Sequence, residues 1–324
     1  MCTLLMKKIA AFQAHLSLAE KKMLFKKLIA SFTIALTVGL GAGGLTGSNA
    51  IAAPFVVLLE SNANMGAGQE VFLVTYNSYA DLISNNQASS TFSQLNINAS
   101  YSVGGMAYDG SQFHVLLESN VNMGAGQEVF LITYNSYADL ISNNQASSTF
   151  SQLNINASYS AGGLTYDGSQ FHVLLESNAN MGAGQEVFLV SYNSYADLIS
   201  NNQASSAFSQ LNINASYSAG GLTYDGSQFH VLLESNANMG AGQEVFMVSY
   251  DSYADLISNN QASSTFSQLN INASYSAGGL TALNTGNGGN VVSEPATMML
   301  VLIGLSFLSV FTRRKDGRCC QARI

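Results

Sequence analysis

Residues 113–170 read FHVLLESNVNMGAGQEVFLITYNSYADLISNNQASSTFSQLNINASYSAGGLTYDGSQ. The next 58 residues, Phe171 to Gln228, differ from them at four positions: Val121/Ala179, Ile132/Val190, Thr133/Ser191 and Thr149/Ala207. Further copies begin at Phe55 and Phe229, so the repeats run 55–112, 113–170, 171–228 and 229–286. Near identity at a fixed period gives every unit much the same surroundings, which predicts a symmetric array or ring.

Within one unit, Phe113–Glu118 and Glu128–Tyr134 are apolar runs rich in β-branched and aromatic residues, without clean polar alternation. Strands of that kind belong to sheets covered on both faces. Gly163–Tyr166 leads through Asp167 and Gly168 into Phe171, the pattern of a hairpin whose Asp-Gly pair supplies positive φ angles. Phe150–Ile155 alternates and predicts a fourth strand, while Ser136 with Asp139 predicts a capped helical turn through Leu140 and Ile141. Four short strands per repeat, buried on both faces, are the pattern of a β-propeller blade. The unit also resembles propeller repeats of the type Gly-Gly-Leu-x-Tyr-Asp-Gly, though it exceeds their usual length of roughly 40 to 50 residues.

Phase adds to the argument. The first copy starts without the preceding Gly-Gly-Leu-Thr strand, and the last ends at Gly278–Thr281 without a following Phe-His strand. Joining the two would complete a ring, which has no ends to cap, whereas an open solenoid needs polar terminal repeats. The expected fold is all-β: residues 53–286 as a propeller of four-stranded blades, flanked by an N-terminal signal helix and a C-terminal transmembrane helix.

Charge excludes one class of partner. All 11 Lys and Arg residues lie between Lys7 and Lys27 or between Arg313 and Arg323, while residues 28–312 carry 17 acidic residues. A body without cations cannot neutralise phosphates, so nucleic-acid binding is excluded. Cys2, Cys319 and Cys320 are terminal, leaving the repeats no disulfide framework, thiolate metal site or cysteine nucleophile.

The ends read as addresses. Lys26 and Lys27, the apolar stretch Leu28–Leu45 and the small residues Ala50 and Ala52 form a secretory signal with cleavage near Ala52, and Met23 is the expected true start. A linker, 287–292, precedes Ser293, Glu294 and Pro295, an apolar run from Ala296 to Phe311, the cluster Arg313, Arg314 and Lys315, and a tail, 316–324. Basic residues after such a run stay cytoplasmic, which leaves the repeats outside. Residues 293–315 resemble the PEP-CTERM sorting signal of Gram-negative bacteria, in which a Pro-Glu-Pro-like motif precedes an apolar helix and a basic cluster. Glu294 and Pro295 match the motif and Ser293 replaces its first proline; the tail from Asp316 also departs from the pattern. The resemblance implies recognition by an exosortase-like membrane enzyme in organisms that make exopolysaccharide. The competing reading is a plain membrane anchor.

The repeats offer one metal-like pattern. Oxygen-bearing side chains at alternate positions, then glycines, then a carboxylate suit a hard cation such as Ca²⁺. The candidates are Glu60, Asn62, Asn64 and Glu70; Glu118, Asn120, Asn122 and Glu128; Glu176, Asn178, Asn180 and Glu186; Glu234, Asn236, Asn238 and Glu244. The offsets do not fit an EF-hand, and a Gly- and Asn-rich hairpin connection is the favoured reading of the segment. No other cofactor is implied.

Catalysis finds no support. His114, His172 and His230 recur, but Val56 takes their place in the first copy, so a packed strand histidine is expected. No Gly-x-Ser-x-Gly elbow occurs, and identical copies lack the asymmetry a catalytic site needs. The bacterial origin that the sorting-signal resemblance implies would make the Asn-Ala-Ser sequons at Asn98, Asn156, Asn214 and Asn272 coincidental. The expected protein is non-enzymatic, exported through the inner membrane, held there transiently, and associated with exopolysaccharide or cell-surface glycan in biofilm through many weak contacts. The alternative is a propeller that binds a small ligand or glycan on its central axis.

Overall fold

The computed structural model describes residues 54–283 except 64, 66, 67, 98, 99, 122, 125, 156, 157, 180, 183, 214, 215, 238, 241, 272 and 273. The first repeat forms β1 (Phe55–Ser61), β2 (Val71–Tyr76), α1 (Tyr79–Ser84), β3 (Ser89–Ser93) and β4 (Tyr101–Tyr108). The second forms β5 (Phe113–Ser119), β6 (Val129–Tyr134), α2 (Tyr137–Ser142), β7 (Ser147–Ser151) and β8 (Tyr159–Tyr166). The third forms β9 (Phe171–Ser177), β10 (Val187–Tyr192), α3 (Tyr195–Ser200), β11 (Ser205–Ser209) and β12 (Tyr217–Tyr224). The fourth forms β13 (Phe229–Ser235), β14 (Val245–Tyr250), α4 (Tyr253–Ser258), β15 (Ser263–Ser267) and β16 (Tyr275–Ala282).

These strands make four antiparallel four-stranded sheets, ordered β16-β1-β2-β3, β4-β5-β6-β7, β8-β9-β10-β11 and β12-β13-β14-β15. The architecture is a four-bladed propeller, and its blades are out of phase with the sequence repeats by one strand. The last strand closes the first blade: Phe55 pairs with Ala282, Val57 with Leu280 and Ser61 with Tyr275. The chain thus reaches its apolar ends by covering them with each other.

Every residue of β5 and β9 is buried, as their unbroken apolar runs require. Val115, Leu117, Ile132 and Tyr134 face the first blade and pack with Val56, Leu58, Val71 and Leu73; the opposite face packs on the third blade. At the axis the four inner strands, β4, β8, β12 and β16, approach backbone to backbone. A Cβ on Gly104 would stand 2.5 Å from Ala161 Cβ, and one on Gly163 would stand 2.6 Å from Leu222 Cβ. Only glycine permits that approach.

The Ser136–Asp139 cap forms as expected: the Ser136 hydroxyl oxygen accepts from Asp139 N (3.1 Å), and Asn143 ends α2 in the left-handed region at φ 54°. The fourth strand differs from expectation. It is Ser147–Ser151, and the alternating Leu153 and Ile155 lie beyond it, in a loop that buries both against the third blade. Outer strands are tied to the next blade at this loop: Ser151 Oγ donates to Leu198 O (2.9 Å), with the same bond from Ser93, Ser209 and Ser267 around the ring. The hairpin turn after Tyr166 is four residues long, with Gly168 alone at positive φ; Asp167 Oδ1 accepts from Ser169 N and Gln170 N instead of adopting it.

Candidate functional site

Two sets of polar side chains lie at the two ends of the strands, one at three of the four blade junctions and the other at all four. The first lies where β5, β9 and β13 begin. His172 Nε2 is 2.9 Å from Asp167 Oδ2 and its Nδ1 is 2.7 Å from Ser191 Oγ, which in turn lies 3.1 Å from Tyr253 Oη of the next blade. The His172 ring stacks on Tyr253 with centroids 4.4 Å apart and meets the edge of Phe229. The line recurs as Asp109–His114–Thr133–Tyr195 and as Asp225–His230–Ser249–Tyr79. Each therefore spans a blade junction.

An Asp–His–Ser sequence of this kind has the members of a hydrolytic triad. Its surroundings give it another use: Ser191 and Ser249 are fully buried, the histidines are 1–2% exposed, and each hydroxyl is engaged by a tyrosine. No substrate carbonyl can reach such an oxygen, so the line is a buried polar tie between blades. Burial opposes the Asp167 charge, but the bonds from His172, Gln170 and Ser169 outweigh it and hold the carboxyl well below the usual range; Asp109 and Asp225 behave alike. The histidines thus occupy the packed strand positions expected, with hydrogen-bond partners that one repeat alone could not reveal.

The second belt lies at the opposite end, where β1, β5, β9 and β13 finish. Glu118 Oε2 accepts from Ala161 N of the next inner strand (2.9 Å), where the β8 register shifts. Glu60, Glu176 and Glu234 accept from Val103, Ala219 and Ala277 at 2.9–3.0 Å. Burial, more than the repulsion of neighbouring glutamates, pushes these four carboxyls up to about 7 despite the bond to the backbone.

The expected calcium ligands are divided by the sheet itself. Glu118 pairs with Val129, and the ladder continues from Ser119 N to Glu128 O, so alternation sends the Glu118 and Glu128 side chains to opposite faces. The same register separates Glu60 from Glu70, Glu176 from Glu186 and Glu234 from Glu244. Asn62, Asn120, Asn178 and Asn236 stand at the loop entrance, with backbone N–H groups donating to the carbonyls of Ser274, Ser100, Ser158 and Ser216 respectively. Asn64, Asn122, Asn180 and Asn238 lie outside the described residues, as do the sequon asparagines. Glu128 Oε1 accepts from Gly124 N (3.1 Å); its Oε2, like that of Glu186 and Glu244, has no hydrogen-bond partner among the described residues. A water or a hard cation would satisfy that oxygen. Among the described residues, no three His, Cys, Asp or Glu side chains group closely enough to hold a metal.

The loops of this end carry Met65, Met123, Met181 and Met239, each 42–46% exposed. Both chain ends of the propeller lie at the other end, where Leu283 N donates to Pro54 O (2.7 Å). Ala50, Ala52, Ser293, Glu294, Pro295, Arg313, Arg314 and Lys315 lie outside the described residues, together with the expected signal and anchor helices. Among the described residues no helix is long and apolar enough to cross a membrane.

Comparison with known proteins adds little to this geometry. No family model matches the chain, and no curated protein matches it. Among solved structures it is similar to glutaminyl cyclase from Myxococcus xanthus at 10% identity, over 61% of this chain and 71% of that one, with a TM-score of 0.29.

Proposed function

We propose that the chain is an exported, non-enzymatic surface or extracellular-matrix protein, a rigid fourfold platform for weak repeated contacts with exopolysaccharide or cell-surface glycan. The supporting observation is that the described chain begins and ends at the same end of the ring. Leu283 sits beside Pro54 there, and the four methionine-bearing loops lie at the opposite end. Four equal loops on the end remote from where the chain enters and leaves the ring suit multivalent display. Enclosure of the Asp–His–Ser lines supports the non-enzymatic reading, and the close approach of the inner strands at their glycines counts against an axial ligand.

In this reading the exosortase-like system cuts the chain near Pro295 after the signal is removed near Ala52. Intact-mass measurement of the protein recovered from culture medium and cell envelope tests it: the expected species has lost both terminal segments. Recovery of the uncut chain from the cytoplasm would overturn the reading.

A further inference from the structure

We propose that Met65, Met123, Met181 and Met239 are a fourfold modification site: hydroperoxides convert each thioether to its sulfoxide, and the serine beside each sulfur directs all four to the same epimer. The inference goes beyond the platform reading and does not depend on the glycan.

Burial divides the methionines of the ring into two sets. Met106 in β4 and Met247 in β14 are fully buried, whereas the four loop methionines are 42–46% exposed. A thioether is oxidised where the oxidant can reach it, so the folded ring offers the loop set and withholds the strand set.

The surroundings of each exposed sulfur are built in the same way. Ser119 is the last residue of β5 and is buried, and its hydroxyl oxygen accepts from Val121 N at 3.2 Å. The backbone of Ala63, Ala179 and Ala237 holds Ser61, Ser177 and Ser235 alike. Fixed in this way, Ser119 Oγ donates to Met123 Sδ at 3.1 Å, and Ser61, Ser177 and Ser235 donate to Met65, Met181 and Met239 at 3.0 Å. Such a bond is weak in energy but definite in direction, because the hydroxyl approaches along one of the two sulfur lone pairs. The other lone pair is the one left toward solvent.

That geometry decides the product. The two lone pairs of a thioether lie on opposite sides of its C–S–C plane, and oxidation through one or the other gives opposite epimers. In the reaction the open lone pair attacks one oxygen of the peroxide. An S–O bond forms, the O–O bond breaks, and the proton on the transferred oxygen passes to the departing hydroxide, which leaves as water. Sulfur loses two electrons and the peroxide gains them. Because the four serines stand in equivalent places, the four sulfoxides share one configuration. Ser61 and Ser177 also lie 2.9 Å from the carbonyls of Ala63 and Ala179, so a hydroxyl that loses sulfur as acceptor has another at hand. Each event turns an apolar side chain into a polar, chiral one on the end remote from Pro54 and Leu283.

Treatment of the purified full chain in mild detergent with hydrogen peroxide, followed by peptide mass mapping, tests the proposal. The four loop methionines are expected to oxidise at least roughly tenfold faster than Met106 and Met247. Oxidised peptides are then given separately to the two methionine sulfoxide reductases, each of which reduces one epimer alone. One enzyme is expected to restore most of all four sites and the other little. Wild-type chain oxidised in guanidinium, where no serine is held against sulfur, is expected to give the two epimers in about equal amounts. A Ser61→Ala, Ser119→Ala, Ser177→Ala, Ser235→Ala variant with the wild-type melting temperature is expected to oxidise as readily as the wild type and to lose the bias. Oxidation of Met106 and Met247 at the rate of the loops, equal epimers from the folded chain, or a bias that survives in guanidinium or in the serine variant would each overturn the proposal.

Discussion

Three of the four blade junctions carry the Asp–His–Ser/Thr–Tyr line, and the junction between the closing blade and the second does not. There Val56 replaces the histidine and Leu283 stands where the others have the aspartate. Thr75 turns away to Ser89, and the Tyr137 hydroxyl is buried without a partner among the described residues. The losses are matched. A carboxylate on the closing strand would meet no histidine on β1, and a histidine on β1 would meet no carboxylate. Because β16 shares Tyr-Ser-Ala-Gly-Gly-Leu-Thr with β8 and β12, this paired substitution distinguishes the closing strand from its near copies. It makes β16 a poorer match for β5, β9 or β13 than for β1, which disfavours closure on the wrong strand.

The axis offers the largest effect with which to sharpen that comparison. A Cβ at internal Gly163 would lie 2.6 Å from Leu222 Cβ, whereas one at closing Gly279 would lie 3.1 Å from Met106 Cβ. Gly163→Ala should cost about 3 kcal/mol or more, and Gly279→Ala nearer 1 kcal/mol, by thermal or denaturant unfolding. Equal losses would mean that the closure is packed as tightly as the interior.

The glutamate belt, present at all four junctions, is the common background. Glu60, Glu118, Glu176 and Glu234 titrate near 7 in the fold and near 4.5 in the unfolded chain. The folded state therefore holds more protons between those values, so their stabilisation is complete below about 4.5 and is lost as pH rises through 7. Each contributes up to about 3 kcal/mol. The lowered Asp109, Asp167 and Asp225 act oppositely, losing their contribution as pH falls through and below the ordinary aspartate range. Melting temperature should peak in mildly acidic buffer, and Glu118→Gln should flatten the neutral limb.

Sequence carried the blade count, the two-sided burial of β5 and β6, the helix cap and the ring phase, because each depends on contacts within one repeat or on its periodicity. The fourth strand was misplaced for a physical reason. Outer strands are exposed and lack apolar pattern, whereas Leu153 and Ile155 alternate because a loop anchors them in the next blade. The His–Tyr ties were equally hidden: His114 and Tyr195 are 81 residues apart, and only closure of the ring places one on the other. The division of Glu118 from Glu128 required the hairpin register, which spacing alone could not supply.

The polar lines can be broken and rebuilt. His172→Val converts an internal junction to the closing type and leaves Asp167 Oδ2 and Ser191 Oγ each without the bond to the imidazole, while Ser191 keeps Tyr253; a loss of about 2 kcal/mol is expected. Val56→His and Leu283→Asp should each destabilise singly and couple favourably by about 1 kcal/mol when combined, measured as a double-mutant cycle. Additive losses would show that the two positions do not form a matched pair.

The smallest effect is the most discriminating, because it reverses sign between the regions. Tyr195 Oη is bonded to Thr133 at 3.1 Å, so Tyr195→Phe leaves a buried hydroxyl wanting and should cost about 1 kcal/mol. Burial pushes the Tyr137 hydroxyl up to about 12, with no bond to offset it. Tyr137→Phe removes a desolvated group that forms nothing in return, so its unfolding free energy should be unchanged or rise by up to about 1 kcal/mol. In a Val56→His, Leu283→Asp background the same change should become costly, since Thr75 would be drawn back toward the histidine and the tyrosine. If Tyr137→Phe destabilises the wild-type ring as much as Tyr195→Phe does, the closing junction holds a bonded tyrosine after all and the contrast between the two regions collapses.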